Sequence, residues 1–315
     1  MTEVSTETAI IGGGQAGVPL ARALSAAGRD VVLIERAHLG GSCVNFGCTP
    51  SKAIIASARA AADARRAGAL GIRIPRVEVD FLAVMDRARA LVAQSKGELD
   101  AGFKDKPNVQ LLTAHGRLEG RDGGRFTIRA GDTLVRAERV VLDTGSRTAR
   151  PPIPGLDQVP VIDAENWIDL RELPRHVLML GGGYIALEMS QAFQRLGSAV
   201  TVLQKGAQLA DREDPDVAEA LQAALERDGV RVQLNTDSGK ARELGKTEGF
   251  IKVVADAKTG VILGAAAVCE QGAEVVQLFV ELMNAGGTVE TVRGAIHIHP
   301  TLAEAAKNAA LAACK

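Results

Sequence analysis

The chain has 315 residues, with 37 Lys and Arg against 38 Asp and Glu, for a formal net charge of −1. That balance offers nothing to nucleic acid or to an anionic membrane surface, and no apolar run reaches the ~20 residues of a bilayer-crossing helix. A chain of this length has room for two or more domains with real cores. Its first eight residues are polar and acidic and lack the basic start of a secretory leader, which sets the expectation of a cytoplasmic protein. In a reducing compartment a close cysteine pair is more often catalytic than structural. Cys43 and Cys48 form such a pair, whereas Cys269 and Cys314 are isolated and read as bystanders.

Residues 8–11 are a short β-type run. They lead into Gly12-Gly13-Gly14-Gln15-Ala16-Gly17, an apolar helix to about Gly28, a strand at 31–34, and Glu35 at its close. Strand, Gly-x-Gly-x-x-Gly, helix, strand and acid together make the dinucleotide fingerprint in its required context. Gly12 makes the tight turn. Gly14 lets the backbone approach a pyrophosphate at the helix N-terminus, where amides and dipole favour anions. Gly17 lets helix and strand pack closely, and Glu35 is placed to accept hydrogen bonds from a ribose.

Next comes Gly40-Gly41-Ser42-Cys43-Val44-Asn45-Phe46-Gly47-Cys48-Thr49-Pro50-Ser51-Lys52, the stretch around which the chemistry is organised. Pro50 and the Ala-rich run 51–66 suit a helix start. A thiol near a helix N-terminus and a lysine is biased towards thiolate, the form that attacks disulfides and metals. Two such thiols within bridging reach make a two-electron redox pair. A zinc site would prefer shorter spacings and further ligands nearby in sequence, and none follow.

Residues 80–103 have helical periodicity with a charged face, a solvated scaffold helix. Residues 109–118, 125–130 and 133–142 read as strands, the later ones an antiparallel meander. Asp143-Thr144-Gly145-Ser146 follows, and the prolines at 151, 152 and 154 mark a linker. A second dinucleotide unit opens at 176, with a strand at 177–180, Gly181-Gly182-Gly183-Tyr184-Ile185-Ala186, a helix to about Leu196 and a strand at 199–203. Ala186 replaces the third glycine, which the fingerprint allows. Gln204 stands where the ribose-binding acid should be, with Lys205 beside it.

Two dinucleotide fingerprints flanking a redox cysteine pair resemble the flavin-dependent pyridine nucleotide-disulfide oxidoreductases, the group of dihydrolipoamide dehydrogenase, glutathione reductase and mercuric reductase. The resemblance implies an α/β fold with two Rossmann-like dinucleotide-binding units, for FAD and NAD(P), plus an α+β C-terminal dimerisation domain. Residues 1–150 would be the FAD-binding domain with the redox cysteines, 151–236 a truncated NAD(P)-binding domain, and 237–315 a truncated dimerisation domain. It further implies FAD on Gly12, Gly14, Gly17 and Glu35, with Thr144 and Gly145 near it. Cys48 becomes the flavin-proximal thiolate and Cys43 the sulfur that exchanges with substrate. Lys52 would lie beside the flavin ring, paired with Glu188. NAD(P)H would lie on Gly181, Gly183, Ala186 and Gln204. Tyr184 reads either as an aromatic gate over the nicotinamide or as a helix-packing tyrosine.

Towards the C-terminus, strands are expected at 249–256 and 261–268, and helices at 273–285 and 301–313. His299-Pro300-Thr301 with Glu304 is similar to the family's acid/base motif. His299 would move the substrate thiol's proton and Glu304 would orient its imidazole, serving the cysteines of the other subunit in a homodimer; His297 reads as structural. Typical mercuric reductases lack this motif, which leans the substrate towards a small-molecule disulfide or dithiol rather than mercuric ion. One departure is large. After a strand at 230–234 the chain passes through 236–239 directly into a stretch like the middle of the dimerisation domain, without the family's later Gly-Asp segment that holds the FAD ribityl chain. The second unit is therefore incomplete, with a sheet edge and an apolar face left uncovered. Two readings stay open: a working oxidoreductase, or an internally deleted, inactive member retaining at most weak nucleotide binding.

Overall fold

A computed structural model describes residues 2–151, 153, 156–234, 250–268, 272–295, 306 and 309–310. They fall into two compact units, Met1–Pro174 and Arg175–Lys315.

The first unit is built on a six-stranded sheet. Its strands are β1 (Thr2–Ile11), β2 (Val31–Glu35), β3 (Val109–Thr113), β4 (Gly116–Asp122), β5 (Arg125–Ala130) and β6 (Thr133–Leu142), in the order β3-β2-β1-β6-β5-β4. The pairs β2–β3, β1–β2 and β1–β6 are parallel, and β4–β5 and β5–β6 are antiparallel. Ala9, Ile10 and Ile11 are all buried, as a continuous apolar run must be when both faces of a parallel sheet are covered. On one face Ile10, Val31 and Leu33 pack against Val18 and Ala21 of α1 (Gly17–Ala26); on the other, Ile11, Val32 and Ile34 meet Ile128, Val135 and Ala137.

The first half of β1 has no apolar run, so the expected strand at 8–11 is only its end. Its start is held by parallel pairing of Thr2–Thr6 with Thr133–Ala137. The expected strand at 109–118 is corrected to two. β3 stops where β2 stops, with the Ala114 amide on the Glu35 carbonyl at 3.0 Å, and the chain then leaves for the far side of the sheet as β4. A short helix α2 (Gly41–Asn45) precedes α3 (Cys48–Arg66), which starts at the second cysteine rather than at Ser51. The scaffold helix is α4 (Phe81–Lys104), capped by Asp80, whose carboxylate accepts the Ala83 amide. It buries Met85 and Ala88, and Arg87 donates to the Ala53 carbonyl of α3 at 2.9 Å.

The second unit holds a parallel sheet of β7 (His176–Leu180), β8 (Ala199–Leu203) and β9 (Arg231–Gln233), in that order. The fingerprint helix is α5 (Tyr184–Leu196). α6 (Pro215–Arg227) was not foreseen, although Asp214 at the N-cap and Pro215 at the first helical position are a legible start signal. An antiparallel pair, β10 (Phe250–Ala255) and β11 (Ile262–Val268), packs with α7 (Gly272–Asn284) and α8 (Val289–Gly294) around the fully buried Phe279. No helix among the described residues is long and apolar enough to cross a membrane.

β7 has one neighbour among the described residues. Its inward side chain, Val177, is buried, while Leu178 and Leu180 on the opposite face are 55% and 45% exposed. A strand with a free edge and an apolar outer face is a template for self-association. Leu178→Lys is expected to reduce concentration-dependent light scattering at unchanged thermal stability. Unchanged scattering would show that this face does not drive association.

Candidate functional site

The first fingerprint turn is crowded by backbone. Gly12 has φ +110°, and its amide donates to the Ile34 carbonyl at 2.8 Å. A Cβ on Gly12 would lie 1.8 Å from the Asp143 carbonyl oxygen, and one on Gly17 would lie 2.0 Å from the Gly12 carbonyl oxygen. Only glycine fits either position. Glu35 stands at the end of β2, as the fingerprint requires. Its Oε2 accepts the Gly13 amide and its Oε1 the Ala37 amide, each at 2.7 Å, so the carboxylate also braces the turn.

Beside the expected Thr144 and Gly145 stands Asp143, which the sequence analysis does not assign to the site. Its amide donates to the Ile11 carbonyl, and its Oδ2 accepts the Gly17 amide at 2.8 Å. A carboxylate therefore sits on the leading turn of α1, where a helix favours negative charge. The available signal was its position just past β6, the parallel neighbour of β1, since ligands of such sheets bind beyond the strand ends.

A cavity of about 330 Å³ opens here, lined by Gly12, Gly14, Glu35, Cys43, Thr144 and Gly145 among others. This is the low end of the ~300–1,000 Å³ typical of small-molecule sites, room for part of a dinucleotide. The glycine cradle, the placed acid and the cavity fit the ADP end of FAD. The cysteine segment reaches this cavity because the Gly40 amide donates to the Gly13 carbonyl at 2.7 Å. Asn45 then closes the turn, donating to the Leu39 and Gly41 carbonyls at 3.0 and 2.8 Å, while its buried Oδ1 has no partner among the described residues.

α2 carries Cys43, α3 begins with Cys48, and Phe46 and Gly47 link them. The Phe46 and Gly47 amides both donate to the Ser42 carbonyl, at 2.9 and 2.7 Å. The indole N–H of Trp167, which sequence reading did not single out, donates to the Phe46 carbonyl at 2.7 Å. Both thiols are free; Cys43 is half-buried and Cys48 exposed. The expected thiolate bias does not hold for Cys43, whose pKa is raised. Burial is the main cause, followed by the hydrogen bond and charge of Cys48; the Cys48 backbone amide and the charge of Lys52 offset this only in part.

The second fingerprint repeats the first, bond for bond. The Gly181 amide donates to the Leu203 carbonyl at 2.8 Å, as Gly12 does to Ile34, and the Ala210 amide donates to the Gly182 carbonyl at 2.8 Å, as Gly40 does to Gly13. Gln204 Oε1 accepts the Gly182 amide at 3.0 Å, the place Glu35 takes in the first turn. Ala210 adopts φ +45°, the left-handed conformation that Gly40 adopts in the first turn. The turns differ in what covers them. A Cβ on Gly181 would meet no atom within 4 Å, because no described strand lies beside β7 as β6 lies beside β1. Ala186 takes the place of Gly17, and Gly183 is the N-cap of α5. Tyr184 is exposed, and its hydroxyl donates to Glu213, so it does not pack into the unit's core.

Lys52 lies on α3 of the first unit and Glu188 on α5 of the second; both are exposed. His297, His299, Glu304, Cys269, Cys314 and the junction at 236–240 lie outside the described residues.

The raised Cys43 pKa has a direct readout. Alkylation of Cys43 by iodoacetamide should keep accelerating above the pH at which an ordinary thiol levels off. In Cys48→Ser, which removes the neighbouring thiol, the profile should move to lower pH. A Cys43 profile that plateaus below the ordinary thiol range would contradict the assigned causes.

A family model described as pyridine nucleotide-disulphide oxidoreductase matches residues 6–307. The chain is 35% identical over 244 residues to a mercuric reductase of Streptomyces lividans, covering 76% of this chain and 51% of that protein. It is 31% identical over 241 residues to a dihydrolipoyl dehydrogenase of Bacillus subtilis (strain 168), covering 76% and 52%. The chain thus spans about half the length of the curated relatives it matches. LpdA from Mycobacterium tuberculosis matches in fold with a TM-score of 0.82 at 18% identity, over 99% of both chains. The HOCl-induced flavoprotein disulfide reductase RclA from Escherichia coli matches with a TM-score of 0.78 at 21% identity, over 96% of this chain and 98% of that one. Two like turns, a cysteine pair fastened to the first of them, and a family match along nearly the whole chain converge: this protein belongs to the pyridine nucleotide-disulphide oxidoreductase family.

Proposed function

We propose that this chain is a flavin-dependent disulfide oxidoreductase acting on a small-molecule disulfide or dithiol. The observation that carries the reading is the fastening of the cysteine segment to the dinucleotide turn by the Gly40–Gly13 bond, which puts Cys43 on the same cavity as Gly12, Gly14 and Glu35. The family uses FAD and NAD(P)H. FAD, when bound, would supply a two-electron relay between the nicotinamide and the cysteine pair.

The chain's own residues divide the remaining work. Gly12, Gly14, Gly17 and Glu35 would hold the ADP end of FAD, with Thr144 and Gly145 beside it. Gly181, Gly183, Ala186 and Gln204 would hold NAD(P)H. Lys52 and Glu188 would pair beside the flavin ring, as the family resemblance implies. From the dithiol state, Cys43 would attack a substrate disulfide, forming a mixed disulfide and releasing one substrate thiol. Cys48 would then attack the Cys43 sulfur, closing the Cys43–Cys48 bridge and releasing the second. His299, oriented by Glu304, would hold the transferred proton, a task suited to a group titrating near neutrality. Because that histidine would serve the other subunit's cysteines, the working form would be a homodimer in the cytoplasm. We assign residues 1–150, 151–236 and 237–315 to the flavin, nicotinamide and dimerisation domains. Mercuric ion is the competing substrate; the His299-Pro300-Thr301 sequence favours a disulfide.

Flavin titration with thiol counting tests the reading. FAD should bind saturably but dissociably, because the ribityl-holding segment is missing and the Asp143 carboxylate stands on the Gly17 amide. Asp143→Asn should tighten binding about two- to fivefold, matching the ~0.5–1 kcal/mol of a charge at a helix terminus. Mild reduction should expose two more thiols in the unaltered chain than in Cys48→Ser. No saturable flavin binding and no extra thiols would favour an inactive, internally deleted member instead.

Nucleotide preference is a separate expectation. Gln204 carries no charge, is nearly buried, and uses its oxygen on Gly182. It cannot repel a 2′-phosphate as a carboxylate would. NADH and NADPH should bind within about tenfold of each other, a gap below ~1.4 kcal/mol. Firm NADH binding without measurable NADPH binding would refute this.

A further inference from the structure

Trp167, the chain's single tryptophan, is 6% exposed in a short 3-10 helix, Trp167–Asp169. Its indole reaches across 121 residues of sequence to the Phe46 carbonyl at 2.7 Å. That carbonyl belongs to the link between α2 and α3, just past the last turn of α2, where a helix leaves carbonyls without intrahelical donors. The tryptophan is itself held from behind. Arg89 of α4 donates through Nε to the Ile168 carbonyl at 3.1 Å and through Nη2 to the Leu170 carbonyl at 2.7 Å. A line of hydrogen bonds therefore runs from α4, through residues 167–170, to the backbone between the two thiols.

We propose that Trp167 is a positioning residue for the Cys43–Cys48 pair, clamping the link between them so that the bridge is favoured over the dithiol. The inference rests on the redox reading of this pair. Closing a bridge costs conformational freedom of the link, and a link already tied to a buried indole has less to lose. With oxidised glutathione as oxidant the exchange balances. Cys43 and Cys48 lose two protons and two electrons and gain an S–S bond, while one glutathione disulfide is cleaved to two glutathione thiols.

The test equilibrates the full chain in buffers of reduced and oxidised glutathione and counts thiols against Cys48→Ser. Trp167→Phe keeps the aromatic packing and removes the donor. It should lower the equilibrium constant for bridge formation about three- to tenfold, as expected for one lost hydrogen bond; tenfold is about 30 mV for a two-electron couple. A constant within twofold of the unaltered chain, or a larger one, overturns the proposal. Should Trp167→Phe not fold, Arg89→Met loosens the support while keeping the indole. It should shift the constant the same way by a smaller factor, and no shift overturns the proposal. The unaltered chain offers a second readout, because its only indole should change emission as the bridge closes and should not in Cys48→Ser. Emission indifferent to bridge closure also overturns it. If the unaltered chain forms no bridge in any buffer, the redox reading fails and the clamp with it. If it bridges and Trp167→Phe bridges equally, the clamp alone fails.

Discussion

One hydrogen bond, from the Gly40 amide to the Gly13 carbonyl, determines what the first unit can do. It ties the chain leaving β2 back onto the turn that ends β1. Without it, the glycine turn and the cysteine segment would be two unrelated features of one chain. With it, Cys43 lines the cavity that the turn and Glu35 define. The bond requires the chain to bend back through left-handed backbone, which two consecutive glycines, Gly40 and Gly41, adopt at φ +89° and +59°. Asn45 then fixes the carbonyls of Leu39 and Gly41, so that α2 starts in a set direction.

The two units show what a parallel sheet owes to its neighbours. In the first, β6 runs beside β1 and continues over the glycine turn, so that the Asp143 backbone touches Gly12 and its carboxylate touches Gly17. In the second, the same turn lies open on that side among the described residues, and leucines of β7 face outward. The chain, which spans about half the length of the curated relatives it matches, carries both turns. The covering strand of the second turn is what the described part of this chain does not show.

Much of this could be read from the residues. Both turns were legible because tight turns and close approaches demand glycine at set spacings, and the cysteine pair because its neighbours are as diagnostic as its spacing. The helix α3 is legible from Pro50 and its Ala-rich run, α4 from its periodicity, and α5 from the glycine turn that opens it. What escaped were contacts between distant parts of the chain. Asp143 meets Gly17 across 126 residues and Trp167 meets Phe46 across 121, and no local pattern marks either. The start of β1 escaped because its residues are polar and pairing alone holds them. The ionisation of Cys43 is not legible from the helix start and Lys52, because burial and the neighbouring thiol prevail over them.

The repeated turn has one further consequence, at Ala210. The left-handed backbone that Gly40 adopts without a methyl group is adopted by Ala210 with one, at φ +45°. For an L-residue that conformation costs roughly 1–2 kcal/mol, and the bond to Gly182 must hold it in place. The protein therefore contains its own side-by-side comparison of one loop built relaxed and built under tension. The tense copy stands in the unit whose sheet is less completely enclosed among the described residues, and that is where heat or denaturant should first loosen the chain.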